Sequence, residues 1–407
     1  LGQVLSSSLD EGSRMTGSTT PGSRLVSLDI IRGAVMVLMA VDHVRVYAGV
    51  PPGGPDPAVF FTRWITHFCA PVFFFLAGTS AFLYGQKVER RQLSRFLVTR
   101  GLFLVLLELT ILRISWTFNF DYANYMLAGV IWSLGWCMVL LALLVWLPLR
   151  ALAAIGVAII AGHNLIDPHF RDWSQAAQSS PLGWLWQILY FGGGFRLFGS
   201  GPPLIILYSL VPWIGVMAAG YAFGWVMRQE PGKRNRLCLW IGLGSTALFL
   251  LLRGFNLYGN PWPWGGPESQ MPALLSFLGT NKYPASFLFL LMTLGPTIAL
   301  IPLLEHARGA VARWLVVFGR VPLFYYVLHI PLIHLVAVLI SLVRTPADTG
   351  WLFTNHPMMP PDVPDGYMWS LGLLYLVTAG VVILLYFPCR WYAGVKARGG
   401  SRWLSFL

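Results

Sequence analysis

The chain has 407 residues, of which 56% are apolar, 14% aromatic and only 11% charged, with a formal charge of +12. A mean hydropathy of +0.64 excludes an ordinary soluble domain, in which about a quarter of residues are charged. The basic residues form no stripe on a soluble face but fall between apolar runs, so nucleic acid is not an expected partner.

Residues 1–24 are polar, rich in Ser, Gly and Thr, and lack the layout of a signal peptide, so they read as a disordered tail. Met15 is a plausible start of its own, and on that reading residues 1–14 are expected to be an upstream extension. Ten apolar runs follow, at Val26–Tyr47, Thr62–Tyr84, Phe96–Trp116, Met126–Leu147, Leu152–Leu165, Leu204–Met227, Leu237–Leu257, Pro284–Leu304, Trp314–Leu342 and Met368–Pro388. At about 20 residues per span they predict an all-α integral membrane protein of about ten transmembrane helices. Every second loop is basic: Lys87, Arg90, Arg91 and Arg95, then Arg150, then Lys233, Arg234 and Arg236, then Arg308 and Arg313. By the charge rule those loops and both termini are cytoplasmic. The expected organisation is one polytopic domain over 25–390 and a basic cytoplasmic tail over 391–407. The alternate loops, Asp167–Pro203, Gly259–Tyr283 and Thr345–Gly366, are long and rich in Trp, Pro and Gly, as interfacial segments are. Gly192-Gly-Gly194 lies in one of them and reads as a flexible corner. There is no fixed repeat and no match between halves of the kind carriers show.

Ionisable groups inside a span are costly, and each is a functional candidate. The first helix carries Asp29, Arg32, Asp42, His43 and Arg45. At about 1.5 Å and 100° per residue, Arg32 and His43 share a face about 16 Å apart, so one long ligand can touch both. Asp29 and Arg32 also fit a simple i,i+3 ion pair. The second helix returns with His67 at a depth similar to that of His43, so the two imidazoles are expected to face each other. A histidine titrates near neutrality and can take a proton from an amine or hydroxyl. Asp42, about 100° round the helix from His43, is the less favoured partner.

Glu108 on the third helix is expected to pair with Arg113, Arg45 or Arg253, chiefly as a structural contact, or else to line the cavity. On the ninth run, Gly319-Arg320-Val-Pro322 leads to His329, which either lines a cavity or bonds carbonyls freed by proline. Lys282, in Asn281-Lys282-Tyr283-Pro284, binds a polar acceptor or snorkels to headgroups. The four cysteines, Cys69, Cys137, Cys238 and Cys389, read as packing residues, and no motif suggests a metal. Walker, GxSxG and HExxH signatures are absent from the sequence.

Ser27-Leu-Asp29-x-x-Arg32-Gly33 and Pro71-x-Phe73-x-Phe75-x-x-Gly78 resemble the first two helices of the heparan-alpha-glucosaminide N-acetyltransferase family. Pro212-Trp213-Ile-Gly215, Asn281-Lys282-Tyr283-Pro284 and Gly319-Arg320-Val-Pro322-Leu-Phe resemble its bacterial members. The resemblance covers nearly the whole membrane region. It implies a multi-pass enzyme of the bacterial cytoplasmic (inner) membrane that takes acetyl-CoA from the cytoplasm and acetylates a sugar or glycoconjugate on the far side. Membrane lipid would surround it, and a homodimer is compatible with the sequence. A polar catalytic residue of the family falls on His43. The family's loop histidine would fall in Pro51–Pro57, where this chain has none, so His43 or His67 has to take its place. On this reading His43, His67 and Asp42 are catalytic, and Asp29, Arg32, Arg100 and Arg320 hold the CoA. Arg45, Glu108, Arg253, Lys282 and His329 face the acceptor. Two rival readings are a transporter or flippase for an envelope sugar or lipid, with Arg32, Glu108 and the histidines as its path, and a scaffold whose buried charges are helix pairs.

Overall fold

The computed structural model describes residues 25–265, 270–356 and 362–398. The expected N-terminal tail, and the expected C-terminal tail beyond 398, lie outside the described residues. Each of the ten apolar runs contains a helix, although two begin in short strands, and among the described residues seven helices are long and apolar enough to cross a membrane. Those seven are α2 (Pro57–Gly85), α5 (Leu149–Asp167), α6 (Leu210–Met227), α7 (Pro231–Gly254), α8 (Phe287–Glu305), α10 (Pro322–Arg344) and α11 (Leu371–Ala397). Three further runs fall outside that set. α1 (Val26–Tyr47) and α3 (residues 90–117) carry too many charges, and α4 (Val130–Leu144) is only 15 residues long.

Two of the expected runs differ in outline. The run expected over Trp314–Leu342 breaks at Val321 into α9 (Ala310–Arg320) and α10, because Pro322 cannot continue the helix that Arg320 ends. The last helix continues to Ala397, past the 390 boundary.

Cross-links between helix ends sort the two ends of the bundle. Arg90 Nη1 donates to the Trp146 carbonyl at 3.3 Å, and Arg234 pairs with Glu305 at 2.6 Å. These join the start of α3 to the end of α4 and the start of α7 to the end of α8, and Arg228 Nη1 donates to Gln86 Oε1, joining the α6–α7 loop to the α2–α3 loop, so these basic loops share one end, the basic end. At the loop end Tyr47 donates to the Trp116 carbonyl at 2.8 Å, and Tyr367 to the Tyr47 carbonyl at 2.8 Å. A small sheet also forms there from segments expected to be irregular. β1 (Met126–Ala128) pairs in parallel with β3 (Pro203–Ile206), and β2 (Gly193–Arg196) pairs antiparallel with β3. The Gly192–Gly194 corner thus enters a strand, with Gly193 opposite Ile206, because buried Leu204 and Ile206 seat β3 on the core.

α1 is the hub, touching α2, α8, α9, α10 and α11. Its seam with α9 is a contact of backbones. A methyl group on Gly33 would collide with the Leu315 carbonyl, and one on Gly319 with the Asp29 carbonyl. One glycine on each helix, Gly33 and Gly319, removes the Cβ that would hold the backbones apart, as small residues do in membrane helix pairs generally.

Candidate active site

A cavity of about 600 Å³ opens between α1, α2, α3, α4, α9, α10 and α11. Arg32, Arg100, Arg320 and Lys396 contribute cations to its lining, and Leu76, Phe96, Leu97, Leu104, Ile131 and Leu323 contribute apolar wall. The three arginines expected to share a ligand therefore line one space, although they come from three separate helices. Arg32 is also braced: Nη1 donates to Asp29 Oδ1 at 3.1 Å and Nη2 to Ser80 Oγ at 2.7 Å. Asp29, 3% exposed, is the ion-pair partner of Arg32 and does not line the cavity.

Tyr326 lines the same cavity and touches a pair of histidines. Its ring lies 5.0 Å from that of His329 and 6.2 Å, edge-on, from that of His43. His43 Nδ1 and His329 Nε2 are 2.6 Å apart, and His329 Nδ1 lies 2.6 Å from the Tyr326 carbonyl. A carbonyl oxygen only accepts, so His329 Nδ1 carries its proton. In the neutral ring Nε2 is then a bare acceptor, and His43 Nδ1–H donates to it. That leaves His43 Nε2 with a free lone pair, which is what a general base requires. Trp116 packs edge-on against His43 at 4.7 Å and fixes the ring from another side.

The partner of His43 is thus His329, not the expected His67. The second helix begins at Pro57 and passes through a tight 3-10 turn at Ile65–Phe68, which carries His67 against Phe289, ring centroids 5.4 Å apart. His67 Nδ1 is buried without a hydrogen-bond partner among the described residues. Asp42 turns away from His43 as its helical position requires. Its Oδ1 accepts from Arg45 Nε at 3.0 Å and its Oδ2 from Arg63 Nη1 at 2.7 Å. Arg45 also donates to the Val50 carbonyl at 2.8 Å.

Two candidates are corrected. Among the described residues Glu108 pairs with no arginine; its Oε2 accepts the backbone N–H groups of Ile131 at 2.8 Å and Trp132 at 3.1 Å. The reason is local: α3 widens into a π-helical turn at Glu108–Leu112, which brings the carboxylate to the start of α4, where unpaired amides favour an anion. Arg113 instead donates to the carbonyls of Tyr125 and Asp121. Arg253 spends its guanidinium on four carbonyls, those of Phe277, Trp262, Ser276 and Gly279, at 2.8 to 3.0 Å. It holds the loop after α7 together rather than pairing with Glu108.

Lys282 does not snorkel outward. It is 7% exposed, and its ammonium stands 5.2 Å from the ring of Tyr283 and 5.8 Å from that of Tyr208. The two phenol oxygens are 3.3 Å apart. Burial pushes the Tyr283 hydroxyl up, but the Lys282 ammonium and the Arg63 guanidinium outweigh it and hold the group below the ordinary tyrosine value.

Sequence reasoning missed Arg63, Ser80, Tyr326 and Lys396. Arg63 carried a usable signal, a charge four residues before His67 in an apolar run, and Tyr326 lies three before His329 on one helix face. Among the described residues no group of three or more His, Cys, Asp or Glu is placed to hold a metal ion, and all four cysteines are free and buried.

Residues 24–258, more than half of the chain, match the family model described as heparan-alpha-glucosaminide N-acetyltransferase, catalytic. The match takes in Arg32, Asp42, His43, Arg63 and Arg100, while Lys282, Arg320, Tyr326, His329 and Lys396 lie beyond it. No curated protein matches the chain.

Proposed function

The chain belongs to the heparan-alpha-glucosaminide N-acetyltransferase family, and from that premise we propose that it carries an acetyl group from acetyl-CoA to a sugar amine or hydroxyl across the bundle. The donor enters the cavity from the basic end. Its phosphates lie among Arg32, Arg100, Arg320 and Lys396, and its pantetheine arm follows the apolar wall toward Tyr326. Positive loops lie in the cytoplasm, which puts the donor on the cytoplasmic side of a bacterial inner membrane, with both termini inside and the acceptor on the far side.

The acceptor nitrogen or oxygen attacks the thioester carbon. The new bond forms as the C–S bond breaks, the acceptor proton passes to His43 Nε2, and it leaves with the CoA sulfur as the thiol. His329 keeps His43 in the tautomer that has Nε2 bare and shares the positive charge that forms. The observation that carries this reading is one residue, Tyr326, which both lines the four-cation cavity and touches the His43–His329 pair. The family match favours an enzyme over the carrier and scaffold readings.

The test is acetyl-CoA binding and acetyl transfer to hexosamines by the purified, lipid-embedded protein. Binding weakened in Arg100→Gln but kept in His43→Ala, with transfer lost in His43→Ala, is the expected result. Folded protein that binds no acetyl-CoA, or near-normal turnover in His43→Ala, refutes it.

A further inference from the structure

The loop end of α1 holds an imbalance of charge. Arg45 and Arg63 each take one oxygen of Asp42, so both oxygens of that carboxylate are engaged. Lys282 acts electrostatically on Asp42, His43 and His67, and among the described residues Asp42 is the one carboxylate acting on the Tyr208–Tyr283 pair beside it. Three cations therefore surround one acid. Among the described residues Lys282 has no ion-pair partner and faces only the two phenol rings. A buried ammonium without a counter-ion is unfavourable, and ring faces compensate only part of that cost.

The main chain that carries Lys282 is pinned, which fixes where its buried side chain starts. Asn281 N donates to Asn260 Oδ1 at 2.8 Å, Asn281 Nδ2 donates to the Pro284 carbonyl at 3.0 Å, and a bridge joins Lys282 to Ala285. His163 adds a hydrogen bond to the Ala285 carbonyl at 2.8 Å. The protein thus holds a cation within electrostatic reach of the reacting base, while the acid nearby, Asp42, already has both oxygens taken by Arg45 and Arg63, so among the described residues Lys282 has no ion-pair partner of its own.

We propose that Lys282 is the anion-binding residue of the acceptor subsite, and that the acceptor is a sugar carrying a carboxylate, sulfate or phosphate besides the group that is acetylated. This rests on the acetyl-transfer reading for what the sugar is there to do; the need for an anion does not. The charge on the sugar neutralises Lys282 on binding, and the amine or hydroxyl is thereby oriented toward His43. Neutral sugars lack that anchor.

The purified, lipid-embedded protein is titrated with glucosamine, glucosamine 6-sulfate, glucosamine 6-phosphate, muramic acid and inorganic sulfate, following thermal stabilisation with CoA present. Wild type, Lys282→Gln and Lys282→Arg are compared, so that any anion binding in the donor cavity is common to all three. At least one anionic sugar is expected to bind wild type tenfold or more tighter than glucosamine, with the advantage lost in Lys282→Gln and kept in Lys282→Arg. Retained CoA binding in Lys282→Gln shows that variant to be folded. Equal binding of charged and neutral sugars, or an advantage that survives Lys282→Gln, overturns the proposal. So does inorganic sulfate matching the sugars in a Lys282-dependent way, since that describes a plain anion site. Because this readout needs no acetyl transfer, Lys282-dependent sugar binding in a protein that transfers no acetyl group defeats the acetyltransferase reading alone.

Discussion

Replacing His329 with alanine tests whether it works through His43. The imidazole is fully buried, and its removal leaves His43 Nδ1–H without the acceptor that sits 2.6 Å away. An unsatisfied buried donor costs about 1–3 kcal/mol, which at about 1.4 kcal/mol per tenfold is a loss of about 5- to 150-fold in kcat when the full cost falls on the charged transition state. Removing the base itself, in His43→Ala, costs about 10²- to 10⁴-fold. The double variant is then expected to be no slower than His43→Ala, because a residue acting only through another has nothing left to act on. His329→Asn, whose amide oxygen can accept the Nδ1 proton, recovers part of the rate. The assay is single-turnover acetyl transfer from saturating acetyl-CoA, with donor binding measured beside it. Additive losses in the double variant, or a wild-type rate in His329→Ala, refute the dyad.

Other expectations follow from the same geometry. Arg100→Gln and Lys396→Gln each remove one cavity cation and should weaken acetyl-CoA binding about three- to tenfold, more at low salt than at high, as isothermal titration would read; salt-independent binding in both proteins contradicts the phosphate assignment. Gly319→Ala forces a methyl into the Asp29 carbonyl and should cost about 1–3 kcal/mol of stability in a thermal melt, with looser donor binding. The Tyr283 phenol, held low by Lys282 and Arg63 and also facing Tyr208 and Asp42, ionises as pH rises below its ordinary value near 10. The new phenolate neutralises Lys282, so affinity for an anionic sugar should fall at alkaline pH in wild type and not in Tyr283→Phe. The sign separates this from unfolding: a group that loses its proton more readily folded than unfolded adds stability as pH rises through that window.

What the sequence made legible was whatever a helix fixes locally. The eleven-residue spacing placed Arg32 and His43 on one face, and the separation of Asp42 from His43 around the helix followed from the same arithmetic. Each of the ten apolar runs contains a helix for the same reason, while the strands that open two of them left no such local mark. Contacts between helices were another matter. Depth alone made His67 a partner for His43, but depth does not fix rotation, and the 3-10 turn at Ile65–Phe68 turns His67 toward Phe289 while His329 arrives from a helix far along the chain. Glu108 was misjudged because a charge pair was sought where the structure uses backbone amides, and a π-helical turn leaves no reliable mark in hydropathy. Arg253 fails similarly, since its partners are carbonyls of an irregular loop that carry no residue signature.

The glycine seam between α1 and α9 bears on how a nucleotide is admitted. Backbone rests on backbone there, at Gly33 against Leu315 and Gly319 against Asp29, with no long side chain between to yield. Arg32 and Arg320 stand on the two welded helices and so form a fixed jamb. Any widening of the doorway has to come from the opposite post, where Arg100 sits on α3 and Lys396 in the last turn of α11. The donor cavity is thus rigid on the side of Arg32 and Arg320, and its other wall is the last turn of the final helix, which closes with Arg398 N–H on the Gly394 carbonyl.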